Sequence, residues 1–214
     1  MKTKKKHILC FGDSNTYGFN PHGGRYDDDT RWTRVLAALL GSGYLILEEG
    51  LNSRITALDD PYEPYRNAMD HIVPCIQTHA PLDLTILMLG TNDLKDYFQP
   101  SVEKICRRLR RLTEIILEVS QAPVLLVCPA ALGESSPGDP CALLYPPHSV
   151  EVSRNLGAAL KQTARELGVP YMDAADYVSP DPADHVHLSP ESHDTLARSE
   201  EHTSELQSQS NLVC

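Results

Sequence analysis

Ser14, Asn92, Asp184 and His187 are the side chains whose types and order could support nucleophilic catalysis. Ser14 lies in Phe11-Gly12-Asp13-Ser14-Asn15-Thr16-Tyr17-Gly18, directly after an apolar run. A glycine just before this motif lets the backbone turn sharply and expose the hydroxyl. The competing reading is that Asp13 or Ser14 caps the next helix, and on the tripeptide alone capping is favoured. Asp184-His185-Val186-His187-Leu188-Ser189-Pro190 places a carboxylate and an imidazole three residues apart. On a turn, the Asp184 carboxylate can accept from His187 Nδ1–H, which orients the ring and stabilises the imidazolium that forms during acyl transfer. His185 and His187 could instead be two metal ligands, although no acidic or cysteine cluster elsewhere clearly completes such a site. Taken alone, His187 reads as a surface histidine.

Two further blocks, Glu49-Gly50-Leu51-Asn52-Ser53-Arg54 and Leu89-Gly90-Thr91-Asn92-Asp93, are rich in turn formers. The elements before and after them explain why they matter. Residues 7–11 (HILCF), 44–47, 82–89, 124–128 and 169–173 read as strands, the third apolar throughout as in a sheet covered on both faces. Residues 32–40, 67–78, 102–120 and 149–167 read as helices, with Pro74 expected to kink or shorten the second. Residues 129–147 form a long loop rich in Gly, Pro and Ser, a length that in a compact domain is functional or covers an interface. Strands alternating with helices predict a three-layer α/β/α sandwich around a parallel five-stranded sheet. In open sheets of this kind ligands bind at the carboxyl ends of the strands, where the first three blocks fall.

Composition narrows the function. The chain has 214 residues, one ordinary domain, with 41% hydrophobic and 22% charged residues. A net charge of −10 disfavours nucleic acid and anionic lipid as partners, and aromatics at 6% are too few for a base-stacking surface. No apolar run is long enough to span a bilayer, and the basic N-terminus lacks the apolar stretch of a signal peptide, so a cytoplasmic location is expected. The six cysteines include no C-x-x-C pair, which favours reduced thiols over disulfides or zinc. Arg107, Arg108, Arg110 and Arg111 read as the solvated face of a helix whose other stripe is apolar.

The order of these blocks resembles the SGNH (GDSL-type) hydrolase family: GDS with Ser14, G-T-N-D with Asn92, and D-x-x-H with Asp184 and His187. The stretches RWTRVLAALL, EEGLNSR, DDP, PLDLTILMLGTNDLKDYF and DHVHL are similar to its arylesterase-like group, which includes acyl-transferring members. The resemblance implies a flavodoxin-like fold. It implies a carboxylic ester hydrolase acting on small aryl or alkyl esters through an acyl-enzyme, with acyl transfer to alcohols as a side activity. A carbohydrate or other O-deacetylase, and a non-catalytic binding module on the same fold, are the alternatives. Ser14 would be the nucleophile, His187 the general base and acid, and Asp184 its anchor. The oxyanion hole would use the backbone N–H groups of Ser14 and Ser53 and the Asn92 side chain, Ser53 standing where the family commonly has glycine. Tyr17, Phe19, Thr91 and Lys95 lie beside the motifs and are candidates to line the substrate pocket, or equally its rim. No metal or organic cofactor is implied, and the resemblance allows a homo-oligomer.

From Arg198 the chain reads RSEEHTSELQSQSNLVC, with no apolar periodicity. RSEEHTSELQS resembles the conceptual translation of a common sequencing-library adapter. Residues 198–214 are therefore expected to be foreign and disordered, and residues 1–197 to form a hydrolase domain shortened at its C-terminal end.

Overall fold

Each expected strand becomes a strand of one parallel sheet. The computed structural model describes residues 4–136 and 138–201. The strands are β1 (Lys6–Gly12), β2 (Tyr44–Gly50), β3 (Leu84–Met88), β4 (Val124–Cys128) and β5 (Tyr171–Asp173), in the spatial order β2-β1-β3-β4-β5. That is the flavodoxin-like order, in which the direction of winding reverses between β1 and β3. The chain segments leaving β1 and β3 diverge there, and the crevice between them is the place where this architecture receives a ligand.

The helices are α1 (Ser14–Tyr17), α2 (Trp32–Leu40), α3 (Ala68–His79), α4 (Val102–Ser120), α5 (Pro140–Leu144), α6 (Pro147–Leu167) and α7 (Pro190–Glu201). Successive strand side chains point to opposite faces. Leu9, Phe11, Leu87 and Leu126 pack under α3, α4 and α6 through Ile72, Leu109 and Leu160. Ile8, Cys10, Ile86, Leu125 and Val127 pack under α2 and α7 through Trp32, Leu36 and Leu196. The central strands β3 and β4 are buried at every position because both of their faces are covered, whereas the edge strand β2 carries Glu48 and Glu49.

Three expectations change. Pro74 does not shorten α3, which runs from Ala68 to His79. Pro74 and Asp70 are both exposed, so the one backbone bond that proline removes is lost on the water side. The 129–147 loop contains α5, which starts where the Asp139 side chain accepts the Cys141 N–H. The segment that begins at Arg198 continues α7 as far as Glu201, and Arg198 pairs with Asp194 at 2.8 Å. The rest of that expectation, residues 202–214, lies outside the described residues. Among the described residues no helix is long and apolar enough to cross a membrane.

Candidate active site

β1 ends at Gly12, where a Cβ would meet Thr16 Oγ1 at 2.1 Å and the Met88 carbonyl at 2.8 Å. Only glycine lets the chain turn this closely against β3. Asp13 then accepts the Asn15 N–H at 3.0 Å and caps α1, whose first residue is Ser14. Of the two residues that could cap this helix, Asp13 does so, and the Ser14 side chain is left for other partners. Burial pushes the Asp13 carboxyl above its usual range.

Asp184 organises the opposite side. Its Oδ1 accepts the backbone N–H groups of Val186 and His187, each at 2.9 Å, and its Oδ2 lies 2.5 Å from His187 Nδ1. Burial alone would raise its pKa, but the hydrogen bonds from the His187 side chain and backbone outweigh burial and hold it below the ordinary value. An ionised carboxylate only accepts, so Nδ1 donates and His187 Nε2 is left to accept. Nε2 lies 2.9 Å from Ser14 Oγ. The Phe19 ring rests against the imidazole, 4.3 Å between centroids. Asn15, which the sequence reading quoted but gave no role, joins the two segments: its Oδ1 accepts Leu188 N–H at 3.0 Å and its Nδ2 donates to the Val186 carbonyl at 3.4 Å. The backbone on either side of His187 is thereby fixed to the residue after Ser14.

The wall opposite is built on Arg54. Its guanidinium lies over the Phe11 ring at 4.0 Å and donates to the carbonyls of Gly12, at 2.8 Å, and Glu49. Burial lowers its pKa to about 10. The Arg54 carbonyl accepts Asn92 Nδ2–H at 3.2 Å, and Asn92 Oδ1 accepts from Tyr145 Oη at 3.4 Å. The Asn92 amide is held in one orientation with a second N–H to spare. Below it, the fully buried Asp93 accepts from Thr56 N–H at 3.0 Å, Thr56 Oγ1 at 2.7 Å and Arg108 at 3.2 Å. Arg108 is therefore not part of a solvated basic face; it neutralises a buried carboxylate.

Ser53 adopts φ +62°, a left-handed conformation that favours glycine. Its hydroxyl donates to Glu63 at 2.7 Å. Lys95, 3.1 Å from Asp60 and 3.8 Å from Glu63, holds that carboxylate pair together, and Tyr97 adds a hydrogen bond to Asp60 at 2.8 Å. Burial raises the Asp60 carboxyl, yet the Tyr62 N–H, Tyr97 and Lys95 together hold it below its usual range.

A cleft of about 330 Å³ opens among these groups, lined by Ser14, Ser53, Asn92 and His187 on its reacting side. Phe19 and Lys95 line it as expected. Tyr17 and Thr91 do not: Thr91 is turned into the interior, 2% exposed, and the Tyr17 ring faces the Arg25 guanidinium at 4.3 Å. Cys141, Leu144 and Tyr145, from α5 and the residue after it, form a wall that the sequence did not reveal. A larger cleft of about 530 Å³ shares only Tyr145 with this one and contains no residue of the Asp184–His187–Ser14 chain. His185 does not join His187 at a metal site; both His187 nitrogens are taken, and among the described residues no three-residue cluster of metal-capable side chains includes either histidine.

Residues 10–195 match the GDSL-like lipase/acylhydrolase family. Among solved structures, an aryl esterase from M. smegmatis superposes with a TM-score of 0.88 at 32% identity, over 95% of this chain and 99% of that one. A carbohydrate acetylesterase from Sinorhizobium meliloti gives 0.88 at 33% identity, over 96% and 100%. A putative arylesterase from Agrobacterium tumefaciens str. C58 gives 0.81 at 33% identity, over 91% and 96%. No curated protein sequence matches significantly.

Proposed function

We propose that this chain, which belongs to the GDSL-like lipase/acylhydrolase family, is a serine esterase that cleaves small carboxylic esters through an acyl-enzyme on Ser14. The observation that carries this reading is the unbroken hydrogen-bond chain from Asp184 to His187 to Ser14, opening into a cleft. His187 Nε2 takes the hydroxyl proton as Ser14 Oγ bonds to the ester carbonyl carbon, and Asp184 stabilises the imidazolium. The tetrahedral oxyanion is received by the backbone N–H groups of Ser14 and Ser53 and by the spare Asn92 amide N–H, donors fixed before the substrate arrives. Collapse of the intermediate breaks the bond to the alcohol, which leaves with the proton from His187. Water, activated by the same imidazole, then attacks the acyl-enzyme and regenerates Ser14. An alcohol in place of water gives transesterification.

The modest cleft volume supports small esters. A second reading, O-deacetylation of carbohydrate, is favoured by the polar half of that cleft, where Asn52, Ser53, Glu63 and Lys95 could receive a polyhydroxylated alcohol. The testing experiment combines a fluorophosphonate probe with a panel of phenyl, alkyl and sugar acetates, with and without added alcohol. Labelling of wild type and not of Ser14→Ala, together with ester cleavage, supports the proposal. Unlabelled protein, or cleavage retained by Ser14→Ala, overturns it. A higher kcat/KM for sugar acetates than for phenyl acetate selects the second reading.

A further inference from the structure

At the free edge of the sheet, away from the Ser14 chain, three side chains of different chemistry converge. Glu49 lies near the end of the edge strand β2, and Cys75 and His79 lie four residues apart on α3. Residues at that spacing share one face of a helix. His79 Nε2 is 2.9 Å from Glu49 Oε1, and the ligand atoms of Glu49, Cys75 and His79 all lie within 4.8 Å of one another. We propose that Glu49, Cys75 and His79 form a binding site for a divalent ion of the zinc class.

The donor set suits that ion. A thiolate, an imidazole nitrogen and a carboxylate oxygen are the three ligand types that zinc takes in proteins. A tetrahedral ion with bonds of about 2.0–2.3 Å separates its ligand atoms by roughly 3.3–3.8 Å. The Glu49–His79 contact must therefore open by about half an ångström, and Cys75, within 4.8 Å of both, must close by no more than roughly 1.5 Å, which rotations of the side chains can supply. Cys75, on the same helix face, packs against the hydrophobic core, and its sulfur supplies the third donor that an ion would need beside the Glu49–His79 pair. The Arg54 guanidinium is directed to backbone carbonyls, Gly12 and Glu49, and not to the Glu49 carboxylate. The hydrogen-bond partner of that carboxylate is His79, a member of the same site, so an ion would replace that contact and not one to Arg54. The side chains of Glu49 and His79 are 34% and 25% exposed, which leaves room for a water as fourth ligand. On binding, the metal loses water, the Cys75 thiol proton passes to solvent, and three protein–metal bonds replace one hydrogen bond.

The test uses the whole chain, reduced and stripped of metal, titrated with Co²⁺ and then Zn²⁺. The expected result is one equivalent of Co²⁺ bound with a thiolate-to-cobalt charge-transfer band and the strong visible bands of four-coordinate cobalt, displaced by one equivalent of Zn²⁺. Cys75→Ser should lose the charge-transfer band, and His79→Gln should weaken binding by roughly tenfold or more. The His79 variant carries the test if Cys75→Ser does not fold, because His79 is partly exposed and caps nothing. Absence of stoichiometric binding overturns the proposal. So does a charge-transfer band that survives Cys75→Ser, or an affinity unchanged in folded His79→Gln.

Discussion

Two histidines stand six residues apart in the chain and serve opposite ends. His187 is 17% exposed and has a partner at each nitrogen, Asp184 and Ser14. His193, on α7, is fully buried; its Nδ1 accepts the Trp32 N–H at 3.3 Å, and its Nε2 faces no hydrogen-bond partner. Burial, with the nearby charges of His187 and Arg31, pushes the His193 pKa down to about 4. The difference is set by what precedes each ring. Three residues before His187 is a carboxylate that turns the chain and anchors Nδ1; three residues before His193 is Pro190, which opens a helix that packs on α2. One imidazole is equipped to move a proton and the other is equipped to stay neutral inside a core.

The largest expected effect breaks the comparison on the catalytic side alone. Ser14→Ala or His187→Ala should lower kcat by roughly a millionfold, as removal of a member of such a unit does. The urea midpoint should stay near wild type, since neither side chain belongs to either hydrophobic core. Esterase kinetics and urea unfolding on the same preparations check this, and a collapse in stability would mean that the loop carrying His187 is structural first. Next in size is Asn92→Ala, expected to cost about a hundredfold to a thousandfold in kcat if its spare N–H meets the oxyanion. A raised KM with unchanged kcat would instead assign Asn92 to substrate binding.

The same contrast explains what the sequence disclosed. D-x-x-H is a local device, so Asp184 and His187 could be paired from spacing; the strand ends follow from apolar runs, so Ser14 and Asn92 could be placed at one edge of the sheet. What escaped depends on distant segments meeting. Asn15 finds Leu188, Arg54 finds Gly12 and Asn92, and Lys95 finds Asp60, and no local pattern announces those partners. Tyr17 and Thr91 were adjacent to the motifs in the chain, but side-chain direction, not adjacency, decides what lines a cleft. Cys75 and His79 carry a legible helical spacing, yet Glu49 joins them only through the placement of α3 beside β2.

The structural histidine gives a pH dependence of intermediate size. Its folded pKa of about 4 lies below the unfolded value of about 6.5. The neutral form is therefore the one the fold prefers, and its contribution is whole above pH of about 6.5 and is lost as pH falls through about 4. Between pH 7.5 and 5 this amounts to about 2 kcal/mol, because the unfolded chain takes up the proton first. Urea unfolding at both values should show wild type losing about that much more than His193→Gln, which cannot titrate. Equal losses in the two proteins would show that the ring protonates in place.

The smallest effect falls on a residue that carries both kinds of role. Ser53 offers its backbone N–H to the proposed oxyanion hole while its side chain holds Glu63 and its backbone sits at φ +62°. A non-glycine residue there costs about 1 kcal/mol, and the hydrogen bond to Glu63 returns about the same. Ser53→Gly relieves the first and forfeits the second, so stability should stay within about 1 kcal/mol of wild type. Ser53→Ala keeps the strain and loses the bond, and should be less stable by about 1 kcal/mol. Both keep the N–H, so both should stay well clear of the roughly hundredfold loss in kcat that removal of an oxyanion donor brings. Thermal melts and initial rates on the pair decide it. Equal stability for the alanine and glycine variants would mean that the backbone carries no strain, and a hundredfold fall in kcat for folded Ser53→Ala would move the catalytic contact from the Ser53 N–H to its hydroxyl.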